Sequence, residues 1–223
     1  QRQVRKDRHG RIIEDIAVVK EAQQAKDITL SIDQRIQSIA YRSLKKYVKL
    51  NKATSGSAVV IDVNNGEVLA MVNSPSFNPN NRGQYQSFRV RNRAITDTFE
   101  PGSTVKPFVI VSALVNKVVE LDAIIDTNPG WMRVGGRRVA DHRNYGKLDL
   151  TTILQKSSNI GVSKLAIELT APRLQETFSD VGSGSDTGIG LLGETSGVLP
   201  MRRRLSDFEL ATMSFGYAFT ANT

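Results

Sequence analysis

Asn64-Asn65-Gly66 stands between two apolar, β-branched runs, Ser57–Ile61 and Glu67–Val72. Asn-Gly supplies the positive-φ residues that a tight turn needs, so the arrangement predicts an antiparallel hairpin in fixed register. A lone hairpin cannot bury its own apolar face. The preceding segment has a different period. Ile32, Ile36, Ile39, Ala40, Leu44 and Val48 recur at three- and four-residue spacing, which predicts a helix with one apolar face. Ser31, with Gln34 three residues on, fits a capping box at its start. Arg35, Arg42, Lys45, Lys46 and Lys49 mark the opposite face. The helix is therefore amphipathic and should lie on a core.

The rest of the chain extends this pattern. Residues 1–27 are polar and read as a short strand pair around Gly10 or as a connector. Ser74–Gly83, rich in Pro and Asn, reads as loop. Val105–Val115 is mostly apolar. Its β-branched residues favour a strand locally, but its length and its Ala113-Leu114 end favour a buried helix. Gly130–Gly146 reads as turns around the single Trp131. A helix starts at Leu150, with Thr151 as its expected cap. Ser157-Ser158-Asn159 interrupts it, and Ile160–Leu169 resumes the helical period. Val181–Gly197 is Gly-rich loop, and a last helix-like run begins at Leu205.

Composition narrows the chemistry. The 223 residues include no Cys, which excludes disulfide scaffolds, thiolate nucleophiles and Cys-ligated metals. His9 and His142 are too few and too far apart for a Ser-His-Asp triad or a metal site. The net charge of +8 invites a polyanion reading. Residues 1–52, however, carry 13 Lys or Arg against six Asp or Glu, so the rest of the chain is nearly neutral. Tyr41 and Tyr47 are the only aromatics in that basic quarter, too few for a base-stacking platform. The charge reads as a solvated or membrane-facing surface rather than a nucleic-acid site. No apolar run approaches the ~20 residues that cross a bilayer.

Without Cys or a nearby His, a serine can be activated by a lysine one helical turn away. Burial lowers the lysine pKa, and the neutral amine can then accept the serine proton. Ser-x-x-Lys occurs twice. Ser43–Lys46 lies on the basic helix face, where a solvated lysine stays protonated. Ser103–Lys106 follows Pro101-Gly102 and opens the apolar run, where burial would perturb Lys106. The helix start also favours a developing oxyanion. The pattern alone leaves this open. Ser157-Ser158-Asn159 supports it, because such a turn presents a hydroxyl for proton relay and a carboxamide for a substrate amide. The other Ser-x-Asn, Ser76–Asn78, is explained by turn capping.

Phe99–Pro107, containing Ser103-Thr104-Val105-Lys106, and Gln155–Lys164, containing Ser157-Ser158-Asn159, resemble the first two active-site motifs of class B penicillin-binding proteins. Gly56–Val63, Gly66–Met71, Asn78–Asn81, Arg91–Ala94 and Ser214–Tyr217 also match, and the likeness runs from about Arg5 to Tyr217. It is closest to the division-specific, septal transpeptidases of Gram-negative bacteria. The resemblance implies an α/β (α+β) class and the penicillin-binding protein/serine β-lactamase-like transpeptidase fold, an antiparallel sheet flanked by helices, incomplete in this chain. It implies that residues 1–27 end a non-catalytic pedestal domain or connector, and that residues 28–223 begin the transpeptidase domain. It implies that Ser103 attacks the penultimate D-Ala carbonyl of a peptidoglycan stem pentapeptide during septal wall synthesis. Lys106 would take the Ser103 proton and Ser157 would relay one to the leaving group. Asn159, with Ser158, would bind substrate, and the Ser103 N–H would supply half of the oxyanion hole. β-Lactams would acylate Ser103. No cofactor, metal or nucleic acid is implied. The implied partners are division-complex membrane proteins such as the septal glycosyltransferase. The implied location is the periplasmic face of the bacterial inner membrane, anchored by an N-terminal membrane helix outside this chain.

The third motif of the family, Lys-Thr/Ser-Gly, is absent. Asp186-Thr187-Gly188 is the nearest string and lacks the cation. Ala218 stands where these proteins usually have Gly. A polypeptide of this extent is expected to show exposed sheet edges and little transpeptidase activity, with the remaining strands outside it. A β-lactam-sensing or non-catalytic penicillin-binding module is the competing reading, since it shares Ser103 and Lys106. A polyanion-binding protein is the third.

Overall fold

The computed structural model describes residues 2–19, 27–81, 83 and 85–223, and the chain divides into Gln1–Ile32 and Asp33–Thr223. Residues 20–26 of the expected connector lie outside the described residues. In the first unit β1 (Arg2–Lys6) pairs antiparallel with β2 (Ile12–Val18), the strand pair around Gly10 that is one of the two readings of this segment. Asp7 Oδ1 accepts from the amides of His9 and Arg11, which closes the turn.

The second unit opens with α1 (Gln34–Leu50). Its cap is Asp33, not Ser31. The Asp33 carboxylate accepts from the amides of Arg35 and Ile36, while its own N–H donates to Leu69 O. That tertiary bond holds Asp33 extended, so the helix starts two residues later than the capping-box pattern suggests. β3 (Gly56–Ile61) and β4 (Val68–Ser74) form the expected antiparallel hairpin, with Gly66 at φ +77°. α1 packs on this hairpin. Leu44 and Val48 lie so close to Gly56 that a Cβ there would meet Val48 Cγ2 at 2.9 Å. Gln37 ties the layers together, accepting from Met71 N and donating to Met71 O. No α1 residue is fully buried, because two strands cover only part of its apolar face.

Two single-turn helices follow, α2 (Ser87–Val90) and α3 (Arg93–Thr96). A 3₁₀ turn (Gly102–Val105) then runs into α4 (Lys106–Val115), so the apolar run is a helix despite its β-branched residues. β5 (Ile124–Asp126) is followed by β6 (Trp131–Val134) and β7 (Arg137–Ala140). The turn-rich Gly130–Gly146 stretch therefore contains a hairpin. Gly135 and Gly136 both take positive φ, and Gly-Gly between two short β-prone runs was the signal. β8 (Lys147–Asp149) pairs with β5. α5 (Leu150–Lys156) is capped by Asp149 rather than Thr151, and Asp149 Oδ1 accepts from Thr152 N at 2.6 Å.

α6 (Asn159–Asp180) carries the expected Ile160–Leu169 stretch and bends at Thr170, next to the Ala171-Pro172 pair that disfavours uninterrupted helix. α7 (Asp207–Ser214) starts at a reciprocal capping box between Ser206 and Glu209. α4, α6 and α7 enclose the core, in which Val109, Ile153, Leu169, Phe178 and Met213 are fully buried. Among the described residues β3 has β4 as its one partner, and Ile61 is half-exposed, in keeping with the expected open edge. No helix of the described residues is long and apolar enough to cross a membrane.

Candidate active site

Two backbone devices converge on Ser103. Gly102 takes φ +63°, and its N–H donates to Gly216 O at 3.0 Å. The chain leaving α7 passes so close that a Cβ on Gly216, itself at φ +86°, would collide with the Gly102 backbone. This clamp sets the 3₁₀ turn that follows. Ser103 lies exposed on that turn, and the Lys106 N–H donates to Ser103 O. Pro107 falls in the first turn of α4, where its missing N–H costs nothing.

Lys106 is 1% exposed. Its Nζ donates to Ser157 Oγ at 2.8 Å, Asn159 Oδ1 at 2.8 Å and Ser157 O at 2.6 Å. Burial pushes its pKa down to about 8, and the Asp141 carboxylate opposes that shift. Ser157 Oγ in turn lies 3.0 Å from Ser103 Oγ. Among the described residues no hydrogen bond joins Ser103 to Lys106 directly. The connection between them runs through the Ser157 hydroxyl.

The α5–α6 junction makes this possible. Ser157 ends α5 in the left-handed region (φ 53°, ψ 45°), which turns the chain and aims its hydroxyl at Ser103. Ser158 caps α6, accepting from Gly161 N at 3.0 Å. Its residue is fully buried and its hydroxyl donates to Asp141 Oδ2 at 2.7 Å. Ser158 was expected beside Asn159 as a substrate-binding residue. In the structure it serves as a helix cap, its hydroxyl engaged by the Gly161 amide and the Asp141 carboxylate. Asn159 Oδ1 accepts from Lys106, while Nδ2 donates to Ala140 O at 3.1 Å. That bond uses one of two amide donors and leaves the other for a ligand carbonyl.

Sequence reasoning missed Asp141. It contacts the turn through three hydrogen bonds from the end of β7, and nothing in its local sequence, a polar stretch after a short strand, distinguishes it. The rejected Ser43 and Lys46 lie exposed on α1, as expected of the solvated pair. Asn78 of the other Ser-x-Asn caps its own loop by accepting from Asn80 N. Asp186-Thr187-Gly188 also closes on itself. The amide and hydroxyl of Thr187 both donate to Glu194 Oε1, and Asp186 accepts from Ser196. Thr187 and Gly188 line a cleft of about 400 Å³ against Val59, Ile61, Val68 and Met71.

The arrangement is an exposed serine hydroxyl joined through a second hydroxyl to a buried amine of lowered pKa, at the start of a helix. Such a site can accept a proton from a serine attacking a carbonyl and return it to a leaving group.

Residues 56–223 match the penicillin binding protein transpeptidase domain. The chain is 52% identical over 217 residues to the peptidoglycan D,D-transpeptidase FtsI of Escherichia coli strain K12, covering 97% of this chain and 36% of that protein. It is 43% identical over 216 residues to the probable peptidoglycan D,D-transpeptidase PenA of Neisseria gonorrhoeae, covering 96% of this chain and 37% of that protein. The chain thus spans about a third of the length of these relatives. Among solved structures, a peptidoglycan glycosyltransferase from Burkholderia ambifaria superposes with a TM-score of 0.78 at 36% identity, over 87% of this chain and 57% of that one. The transpeptidase domain of penicillin-binding protein 3 from Burkholderia pseudomallei gives 0.77 at 36% identity, over 86% and 54%.

Proposed function

Because this chain belongs to the penicillin-binding protein transpeptidase family, we propose that it carries the acylating half of a peptidoglycan D,D-transpeptidase acting in septal wall synthesis. The observation that carries the reading is the hydrogen-bonded sequence Ser103 Oγ, Ser157 Oγ, Lys106 Nζ.

In this reading Ser103 Oγ attacks the carbonyl carbon of the penultimate D-Ala of a stem pentapeptide. The Ser103 proton passes to Ser157 Oγ as the Ser157 proton passes to neutral Lys106. The Ser103 N–H supports the developing oxyanion. The C–N bond to the terminal D-Ala then breaks, and the proton held by Lys106 returns through Ser157 to the departing amine. An ester on Ser103 remains. The amine of a neighbouring stem peptide attacks that ester, a new amide forms, and Ser103 recovers its proton. Asn159 orients the substrate through its second amide hydrogen. A β-lactam enters at the first step, its ring amide taking the place of the D-Ala-D-Ala bond. Cross-linked wall lies outside the cytoplasmic membrane, so the protein works on the periplasmic face, alongside membrane partners of the division complex such as a septal glycosyltransferase. Residues 1–27 are read as the end of a pedestal or connector, and 28–223 as the beginning of the catalytic domain.

Covalent labelling with a fluorescent penicillin, followed by peptide mapping, tests the reading. The adduct is expected on Ser103. An adduct on another residue, or none on the full-length protein, would refute it.

A further inference from the structure

The α5–α6 turn has to bring two side chains to one lysine, and its own sequence supplies only part of the restraint. The first amides of a helix have no partner within it. Ser158 Oγ takes the amide of Gly161. The amides of Asn159 and Ile160 donate instead to Asp141 Oδ1, at 2.6 and 3.0 Å, and the Ser158 hydroxyl donates to Asp141 Oδ2 at 2.7 Å. Asp141 thus closes three consecutive residues of the turn from a site 17 to 19 positions earlier. It is itself anchored, since its N–H donates to Gly130 O at 3.1 Å. The adjoining carbonyl of Ala140 accepts Asn159 Nδ2, so one corner of β7 fixes both the backbone and the carboxamide of Asn159.

We propose that Asp141 is the positioning residue of the acyl-transfer site, its carboxylate locking residues 158–160 so that Ser157 and Asn159 meet Lys106. The proposal rests on the reading of Ser103 as the acylated nucleophile. Asp141 transfers no proton to substrate. It acts through the turn, and a carboxylate at a helix start is favourably placed to do so. It has a second effect through space. Among the described residues Asp141 is the one charge with a resolved influence on Lys106, and it favours the ammonium. Lys156 on α5 is exposed, and Lys164 on α6 donates to Asp126 O. His142 and Arg143, which follow Asp141, are exposed.

The two effects separate in two variants of the full-length protein. Asp141→Asn keeps an acceptor for the amides and removes the charge, whereas Asp141→Ala removes both. The readouts are the pH profile of fluorescent-penicillin acylation and amide hydrogen exchange across residues 157–161. In Asp141→Ala the Asn159 and Ile160 amides are expected to exchange at least tenfold faster, and acylation to slow at least tenfold. Asp141→Asn is expected to recover most of the rate with its midpoint moved to lower pH. Unchanged exchange and acylation in Asp141→Ala would overturn the proposal, as would a rate loss with exchange unchanged. A parent protein unlabelled at Ser103 would instead sink the acyl-transfer reading, and the exchange at Asn159 and Ile160 would still decide whether Asp141 holds the turn.

Discussion

Ser157 Oγ stands 3.0 Å from Ser103 Oγ, although 54 positions separate the two residues in sequence. The same oxygen accepts from Lys106 Nζ at 2.8 Å. The second serine is therefore the bridge between the Ser103 hydroxyl and the Lys106 amine. Ser157→Ala removes that bridge while leaving the Ser157 carbonyl to hold Lys106. Its second-order rate of penicillin acylation is expected to fall by about 10²–10⁴, the usual span for losing proton-transfer assistance. Stopped-flow labelling measures it, and a rate within threefold of the parent would show that Lys106 serves Ser103 without Ser157.

The state of Lys106 sets a pH dependence. Burial lowers its pKa to about 8, with Asp141 opposing. Acylation needs the neutral amine, of which roughly a tenth is present at pH 7. The rate should therefore climb nearly tenfold from pH 6 to 7 and level off above about pH 8. The sign follows from the base role, since protonation removes the acceptor. A flat profile over this range would exclude Lys106 as the base.

Two Ser-x-x-Lys strings occur, and in Ser103–Lys106 the lysine is buried and linked to the serine through Ser157, whereas Ser43 and Lys46 are both exposed. Ser103→Ala is expected to abolish covalent penicillin labelling with the melting temperature unchanged within a few degrees, because the side chain is exposed. Ser43→Ala, on the exposed face of α1, should leave labelling intact. Mass spectrometry of the adduct separates these outcomes.

The parts legible in the sequence were those decided by local chemistry. The Asn65-Gly66 turn specified its hairpin, the apolar run behind Ser103 its helix, and Ser157–Asn159 the break between α5 and α6. Caps were misjudged where tertiary contacts chose among neighbouring candidates. Asp33 displaced Ser31 because Leu69 O fixes its backbone, and Asp149 displaced Thr151 at the end of β8. Asp141 was invisible for a stronger reason. Its partners lie 17 to 19 residues away, and no local spacing encodes them. Ser158 is legible as part of a motif, but its burial and its bond to Asp141 depend on that same long-range contact.

Gly216 offers a test of the clamp beneath Ser103. A Cβ there would strike the Gly102 backbone, and the residue needs φ +86°. Gly216→Ala is expected to cost at least ~2 kcal/mol and to slow acylation, because the strained contact adjoins the nucleophile. Gly136→Ala is the control. It shares a positive φ of +80° but has nothing within 4 Å, so only a backbone cost of about 1–2 kcal/mol is expected. Denaturant melts of both, paired with acylation rates, test the difference. Equal stability losses would mean that conformation rather than the Gly102 contact makes Gly216 necessary.

The far half of α6 supports the site without touching it. Past the bend at Thr170, Phe178 is fully buried and stacks on Phe219 with ring centroids 5.0 Å apart. Removing its ring leaves a cavity where α6 meets the C-terminal segment, so Phe178→Ala is expected to cost about 3–5 kcal/mol. Ser157, Ser158 and Asn159 lie at the opposite end of this helix, before the bend. The variant that remains folded at low temperature should therefore acylate at nearly the parent rate. Chemical denaturation gives the first quantity and labelling at 10 °C the second. A proportionate loss of both would show that the bend does not isolate the junction, and that packing at Phe178 is transmitted along α6 to Ser157.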